Sequence, residues 1–164
     1  MKKFLTLALL LVLSLTLVGC AKDPLKNDDF KYYVILNGNG LNVEANKMEA
    51  VSYIDKRVKS IKKTVKNSST LYLLEMEVTK GDTLQVARVA VSQEEGSFDF
   101  KAQDKLSGPV KNLTTNNLTI PEYTEFDNGN GTWSTLPTVE VTGTVYIVFS
   151  EAASNVKYLA VITK

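Results

Sequence analysis

Between Thr70 and Thr79 the run TLYLLEMEVT places Tyr72, Leu74, Met76 and Val78 on one side of an extended chain and Glu75, Glu77 and Thr79 on the other. Period-two alternation suits a half-buried strand and does not suit a helix. The pattern returns in TVEVTGTVYIVFS, where Val139, Val141, Val145, Ile147 and Phe149 share a face. Lys80-Gly81-Asp82 reads as a turn after the first run, with Thr83 to Ser92 (TLQVARVAVS) as its hairpin partner. Val156 to Thr163 (VKYLAVIT) pairs in the same way with the second run, across a loop containing Ser154-Asn155. Tyr32 to Leu36 (YYVIL) is a further strand, closed by Asn37-Gly38-Asn39-Gly40, residue types that accept positive φ. Phe98 and Phe100 alternate within Ser97 to Lys101, before Ser107-Gly108-Pro109, and Leu118 to Phe126 holds another candidate strand. Trp133 is expected to plug one end of the core. Short β runs at roughly regular spacing, separated by turn residues, predict a mainly β chain folded as an antiparallel sandwich.

One stretch supports two readings. In NKMEAVSYIDKRVKSIKKTVK, Asn46 to Lys66, the apolar residues Met48, Val51, Ile54, Val58, Ile61 and Val65 recur at helical intervals of three and four. Asn46 and Glu49 have the spacing of a capping box, and lysines crowd the far end where a helix C-terminus favours them. An α+β fold with one amphipathic helix at about 47–66 satisfies these features. Alternation through Leu41, Val43, Ala45, Val51 and Tyr53 equally supports a strand followed by a basic loop.

The N-terminus carries a different signal. Lys2 and Lys3 precede an apolar run from Phe4 to Val18 that ends at Gly19 and Cys20. The run is about fifteen residues, against roughly 20 for a helix spanning a bilayer core, which favours a cleaved leader. Leu17-Val18-Gly19-Cys20 resembles the lipobox of bacterial lipoproteins. The resemblance implies cleavage after Gly19 and a diacylglyceryl thioether on Cys20, with acyl chains of the palmitate type. Two or three buried chains, at about 0.8 kcal/mol per methylene, anchor durably where one does not. The layout is then a signal peptide at 1–19, a lipidated tether at 20–29 and a β-sandwich domain at 30–164. The tether contains Pro24 and no periodicity. Ten flexible residues span about 17 Å, so the domain stays near the headgroups. The implied location is the outer face of the cell membrane of a bacterium, Gram-positive by the second resemblance below.

From Gly40 onward the strand patterns GLNVEANKMEAVSYI, LYLLEMEV, SFDFKAQDKLSGPV and VEVTGTVYIVF resemble the telokin-like, immunoglobulin-type domain of Gram-positive lipoproteins of unknown function. The resemblance implies an immunoglobulin-like sandwich and no particular chemistry.

Composition narrows the function. The chain has no histidine and one cysteine, so histidine-assisted triads and histidine metal sites are excluded and no disulfide can form. The leader takes two of the nineteen basic residues and none of the eighteen acidic ones, leaving the remainder one net negative charge. That balance suggests no nucleic-acid partner. Asp127-Asn128-Gly129-Asn130-Gly131 lacks the ligand spacing of a calcium-binding EF-hand loop, and no cofactor or metal is expected. Lys56, Arg57, Lys59, Lys62, Lys63 and Lys66 put six positive charges in eleven residues with no acid among them. They are candidates for contact with an anionic lipid or wall surface, where each basic residue contributes about 1 kcal/mol. The reading that follows is a non-enzymatic, membrane-anchored extracytoplasmic domain that binds an envelope partner. The alternative is an envelope hydrolase using the carboxylates of Glu122, Glu125 and Asp127.

Overall fold

The computed structural model describes residues 30–38, 43–61, 65, 70–91, 110–113, 116–125, 131–151 and 157–164. The leader, Cys20, the tether, Ser97–Lys101, Ser107–Pro109, Asp127, Lys62, Lys63 and Lys66 lie outside the described residues, as does the Trp133 side chain. Among the described residues no helix is long and apolar enough to cross a membrane.

The chain is mainly β and sandwich-like. Strand β1 (Phe30–Leu36) precedes a one-turn helix α1 (Val43–Asn46), then β2 (Glu49–Val51) and a 3-10 helix (Lys56–Ile61). There follow β3 (Thr70–Val78), β4 (Leu84–Ala90), β5 (Val110–Asn112), β6 (Leu118–Thr119), β7 (Tyr123–Glu125), β8 (Gly131–Trp133), β9 (Thr138–Val139), β10 (Gly143–Glu151) and β11 (Lys157–Thr163). One sheet has the order β2-β3-β10-β11-β5; β1 pairs with β4, β6 with β9 and β7 with β8.

The core lies between the five-stranded sheet and the β1-β4 pair. Tyr72, Val145, Ile147, Phe149, Leu159 and Val161 face Tyr32, Val34, Leu84 and Val86, with Leu118 and Val139 closing the same cluster. The Tyr32 ring centroid stands 4.1 Å from that of Tyr72 and 5.3 Å from that of Phe149, tilted in both cases, the second separation falling in the roughly 4.5–7 Å range of favourable aromatic pairs. The alternating faces expected for β3 and β10 therefore point where the sequence pattern put them.

Four expectations are corrected. First, β4 is not the hairpin partner of β3. It pairs with β1, Val34 opposite Val86, while β3 lies between β2 and β10. The turn between them steps across the sandwich. Gly81 takes a φ of +97° and donates its N–H to Val139 O at 2.8 Å, and Leu84 N–H bonds Pro137 O at 2.7 Å. Asn37, itself at φ 54°, ties this turn to the end of β1: its Nδ2 donates to Asp82 Oδ1 and its Oδ1 accepts from Thr83 N–H, both at 2.8 Å. Both edges of β3 are occupied, one by β2 and the other by β10, so β4 takes its partner in β1. Second, the run from Thr138 to Ser150 is two strands, broken at 140–142 and restarted at Gly143 with φ +128°. Third, the sheet is not wholly antiparallel, because β5 runs parallel to β11. No hairpin links those two strands, so nothing in the connection enforces opposite directions.

The fourth correction concerns residues 47–66, of which the described ones, 47–61 and 65, form no long helix. Glu49–Val51 adds a strand to the edge of β3, and the chain then turns into the 3-10 helix. Asn46 caps nothing; it ends α1 and its Nδ2 donates to Val34 O at 2.8 Å. The helical stripe divides. Met48 joins the inner core, Ile54 is 64% exposed, and Val51, Val58, Ile61 and Val65 pack on the outer face of the five-stranded sheet over Leu71, Leu73, Val148 and Ala160. The physical reason is that Leu71-Tyr72-Leu73-Leu74 and Tyr146-Ile147-Val148-Phe149 are apolar on both faces. Continuous apolar strands need cover on each side, and the basic segment supplies the second cover.

Candidate basic site on the outer sheet face

Among the described residues the cover extends over only part of the sheet. Antiparallel register sets Leu71 opposite Ser150 and Leu73 opposite Val148, beneath the cover, but sets Glu75 opposite Tyr146 and Glu77 opposite Thr144 beyond it. The change from LYLL to EMEV within β3 thus marks where the outer layer stops. At that margin a shallow concavity of about 640 Å³ opens, lined by Lys56, Arg57, Lys59 and Ser60 on one side and Tyr146, Ile162 and Lys164 on the other.

Local chemistry fixes the basic wall. Asp55 N–H bonds Ser52 O at 2.9 Å to close a turn, and Asp55 Oδ1 accepts the Arg57 N–H at 2.8 Å, which makes Asp55 the N-cap of the 3-10 helix. The same carboxylate accepts from the Arg57 guanidinium, Nη2 to Oδ2 at 2.7 Å and Nε to Oδ1 at 3.1 Å, while Nη1 reaches Glu49 on β2. The side-chain hydrogen bonds from Arg57, then its backbone N–H, hold the Asp55 carboxyl below the usual carboxylate range. Arg57 is pushed up in turn, chiefly by Asp55 and then by Glu49. Arg57 is therefore a clamp between strand and helix whose charge is spent on two acids.

An Asp55→Ala change should cost about 1 kcal/mol for the lost cap, and Asp55→Asn less, since Asn also caps. The linkage sign follows from the depressed folded pKa. Stability from ionised Asp55 is present in full above the unfolded value of about 3.9 and is lost as pH falls through the lower folded value. Urea unfolding of the wild type should weaken across that acidic window, and Asp55→Asn should weaken less; equal acid sensitivity would remove the clamp from the account.

The predicted cluster of six is brought together only in part. Among the described residues Lys56 and Lys59 are exposed and take no part in an ion pair, whereas Arg57 is neutralised. Lys164 Nζ bonds Glu75 Oε1 at 2.6 Å, and that contact raises its pKa. Lys80 approaches Glu140 at 3.4 Å; a hydrogen bond from Thr119, then one from Lys80, lowers the Glu140 carboxyl.

Of the carboxylates proposed for hydrolysis, Glu122 alone has a described side chain. Glu122 is exposed in the segment before β7, where its carbonyl accepts the Ser134 N–H at 3.1 Å; the side chains of Glu125 and Asp127 lie outside the described residues. Among the described residues no three acidic or cysteine side chains cluster as metal ligands would.

Sequence reasoning missed the Asp55 cap, the Arg57 clamp and the Tyr146-Ile162 floor. The cap was signalled by Asp55 standing before the first basic residue. The floor was signalled by Tyr146 falling on the face of its strand opposite Val145 and Ile147. Lys164 comes from the other end of the chain, and only sheet pairing brings it near. In comparisons with protein-family models, curated proteins and solved structures, the chain matches none of them.

Proposed function

We propose that the protein is a lipid-anchored extracytoplasmic lipoprotein whose immunoglobulin-type sandwich is a non-enzymatic binding domain for an anionic component or protein of the bacterial envelope. The observation that carries the binding part is the outer layer itself: a clamped basic segment that presents Lys56 and Lys59 beside a concave, partly apolar surface. The anchoring part is supported by the leader, with Lys2 and Lys3, a short apolar run and Leu17-Val18-Gly19-Cys20. Tethering by about ten residues keeps the basic face within reach of the surface field, which decays over about 8 Å at physiological salt. Outside the cluster of six, the part after the leader has eleven basic and eighteen acidic residues. The domain is then dipolar and turns its basic face inward.

The test is Cys20→Ala in the full-length chain. The wild type is expected in the membrane fraction with incorporated lipid label, and Cys20→Ala in the soluble fraction or unprocessed, without label. Cys20→Ala that stays with membranes through a high-salt wash would contradict the anchor.

A further inference from the structure

We infer that the concavity at the margin of the outer layer is a binding site for the headgroup of an anionic phospholipid, with Lys56 and Lys59 holding the phosphodiester and Tyr146 and Ile162 the apolar part beneath it. This deepens the proposed envelope-binding role and rests on it for the choice of ligand source.

The first argument is the geometry of the two lysines. They stand three residues apart in the 3-10 helix Lys56–Ile61, and in that helix side chains at i and i+3 eclipse each other. Two exposed ammonium groups on one face repel unless an anion lies between them. Each of the other two cations at the rim already has acids of its own, Arg57 those of Glu49 and Asp55, Lys164 that of Glu75. The clamp orients the wall; among the described residues Lys56 and Lys59 have no acid paired with them and are left to bind.

The second argument is the floor. Tyr146 and Ile162 sit opposite each other on β10 and β11, half-buried at the edge of the outer cluster. A bare inorganic anion leaves this apolar surface wet, whereas a glycerophospholipid places its glycerol and first methylenes there. Ile54, outside the lining of the concavity, is 64% exposed two residues before Lys56, an apolar side chain on the same segment that a lipid interface would take up. The concavity is shallow and open to solvent, the form that suits a headgroup presented at a bilayer surface. A nucleic acid is disfavoured by the excess of acidic residues over the rest of the domain.

The experiment titrates full-length protein in non-ionic detergent with dihexanoyl-phosphatidylglycerol by calorimetry, following the Tyr146 ring resonances in parallel. Saturable binding is expected, with those resonances shifted. It should weaken roughly thirtyfold in Lys56→Gln/Lys59→Gln, from the contribution of two lysines near an anion. It should also weaken as salt rises from about 50 mM to about 500 mM. Both lysines are solvent-exposed, so the unfolding midpoint of the double variant should match the wild type. Dihexanoyl-phosphatidylcholine should bind far less. Undiminished affinity in the double variant, or Tyr146 resonances that do not move, overturns the site; glycerol 1-phosphate binding as tightly as the lipid overturns the lipid as its occupant. Because the titration does not depend on acylation of Cys20, soluble Cys20-bearing protein that still binds the lipid removes only the anchor, and membrane-bound protein that does not bind it removes only the site.

Discussion

Replacing Phe149 with alanine is expected to lower the unfolding free energy by about 3 to 5 kcal/mol, the range for deleting a buried aromatic from a packed core. Phe149 is 1% exposed, lies in the central pair of the sheet between Tyr72 on β3 and Leu159 on β11, and stacks on Tyr32 from the opposite sheet. The three rings join the two layers, so their loss leaves a cavity that neither backbone can close without breaking strand register. A urea transition should move to lower concentration with its slope unchanged. A change below about 1 kcal/mol would mean that the sheets are held elsewhere.

Ile61→Ala is expected to cost about 2 to 4 kcal/mol, with a different local signature. Ile61 is 2% exposed and packs with Val58, Val65, Leu71 and Leu73 between the basic segment and the outer sheet face. Among the described residues, the backbone bonds made by the segment's own amides, Asp55 N–H to Ser52 O at 2.9 Å, Val58 N–H to Asp55 O at 3.3 Å and Val65 N–H to Ile61 O at 3.1 Å, stay within the segment and do not tie it to the sheet. Local bonding of this kind favours opening as a unit before the sheets do. Hydrogen exchange at the Val65 amide should accelerate strongly in Ile61→Ala and hardly at all in Phe149→Ala, whereas the β10 amides should respond to both. If Val65 exchange follows Phe149→Ala as closely as the β10 amides do, the layer opens only with the whole domain. Detachment of this layer also dissolves one wall of the basic concavity, so lipid affinity and Val65 protection should fall together.

The sequence by itself determined the strand faces and the class of fold. Alternation placed Tyr72 and Phe149 toward one core, and Asn37-Gly38 and Gly81 took the positive φ expected of turns. These are local properties, set by the period of the side chains and by what each residue's backbone allows. Partner choice was decided by the tertiary structure. Whether Leu84–Ala90 pairs with β3 or with β1 depends on what else competes for the edges of β3, and no window of adjacent residues contains that competition. The segment from Asn46 to Val65 shows the same division. Its spacing grouped Met48, Val51, Ile54, Val58, Ile61 and Val65; four of them, Val51, Val58, Ile61 and Val65, form one buried set, while Met48 joins the inner core and Ile54 is exposed. A helix and a strand-turn-3-10 path can bury the same four residues. The edge of β3 that β2 takes, opposite the one paired with β10, and the doubly apolar centre of the sheet selected the second path, because it satisfies backbone hydrogen bonds and covers Leu71, Leu73 and Val148 together. The cluster of five lysines and one arginine was legible from the letters; that Arg57 is spent on Asp55 and Glu49 was not, since charge neutralisation depends on distances that only the folded chain supplies.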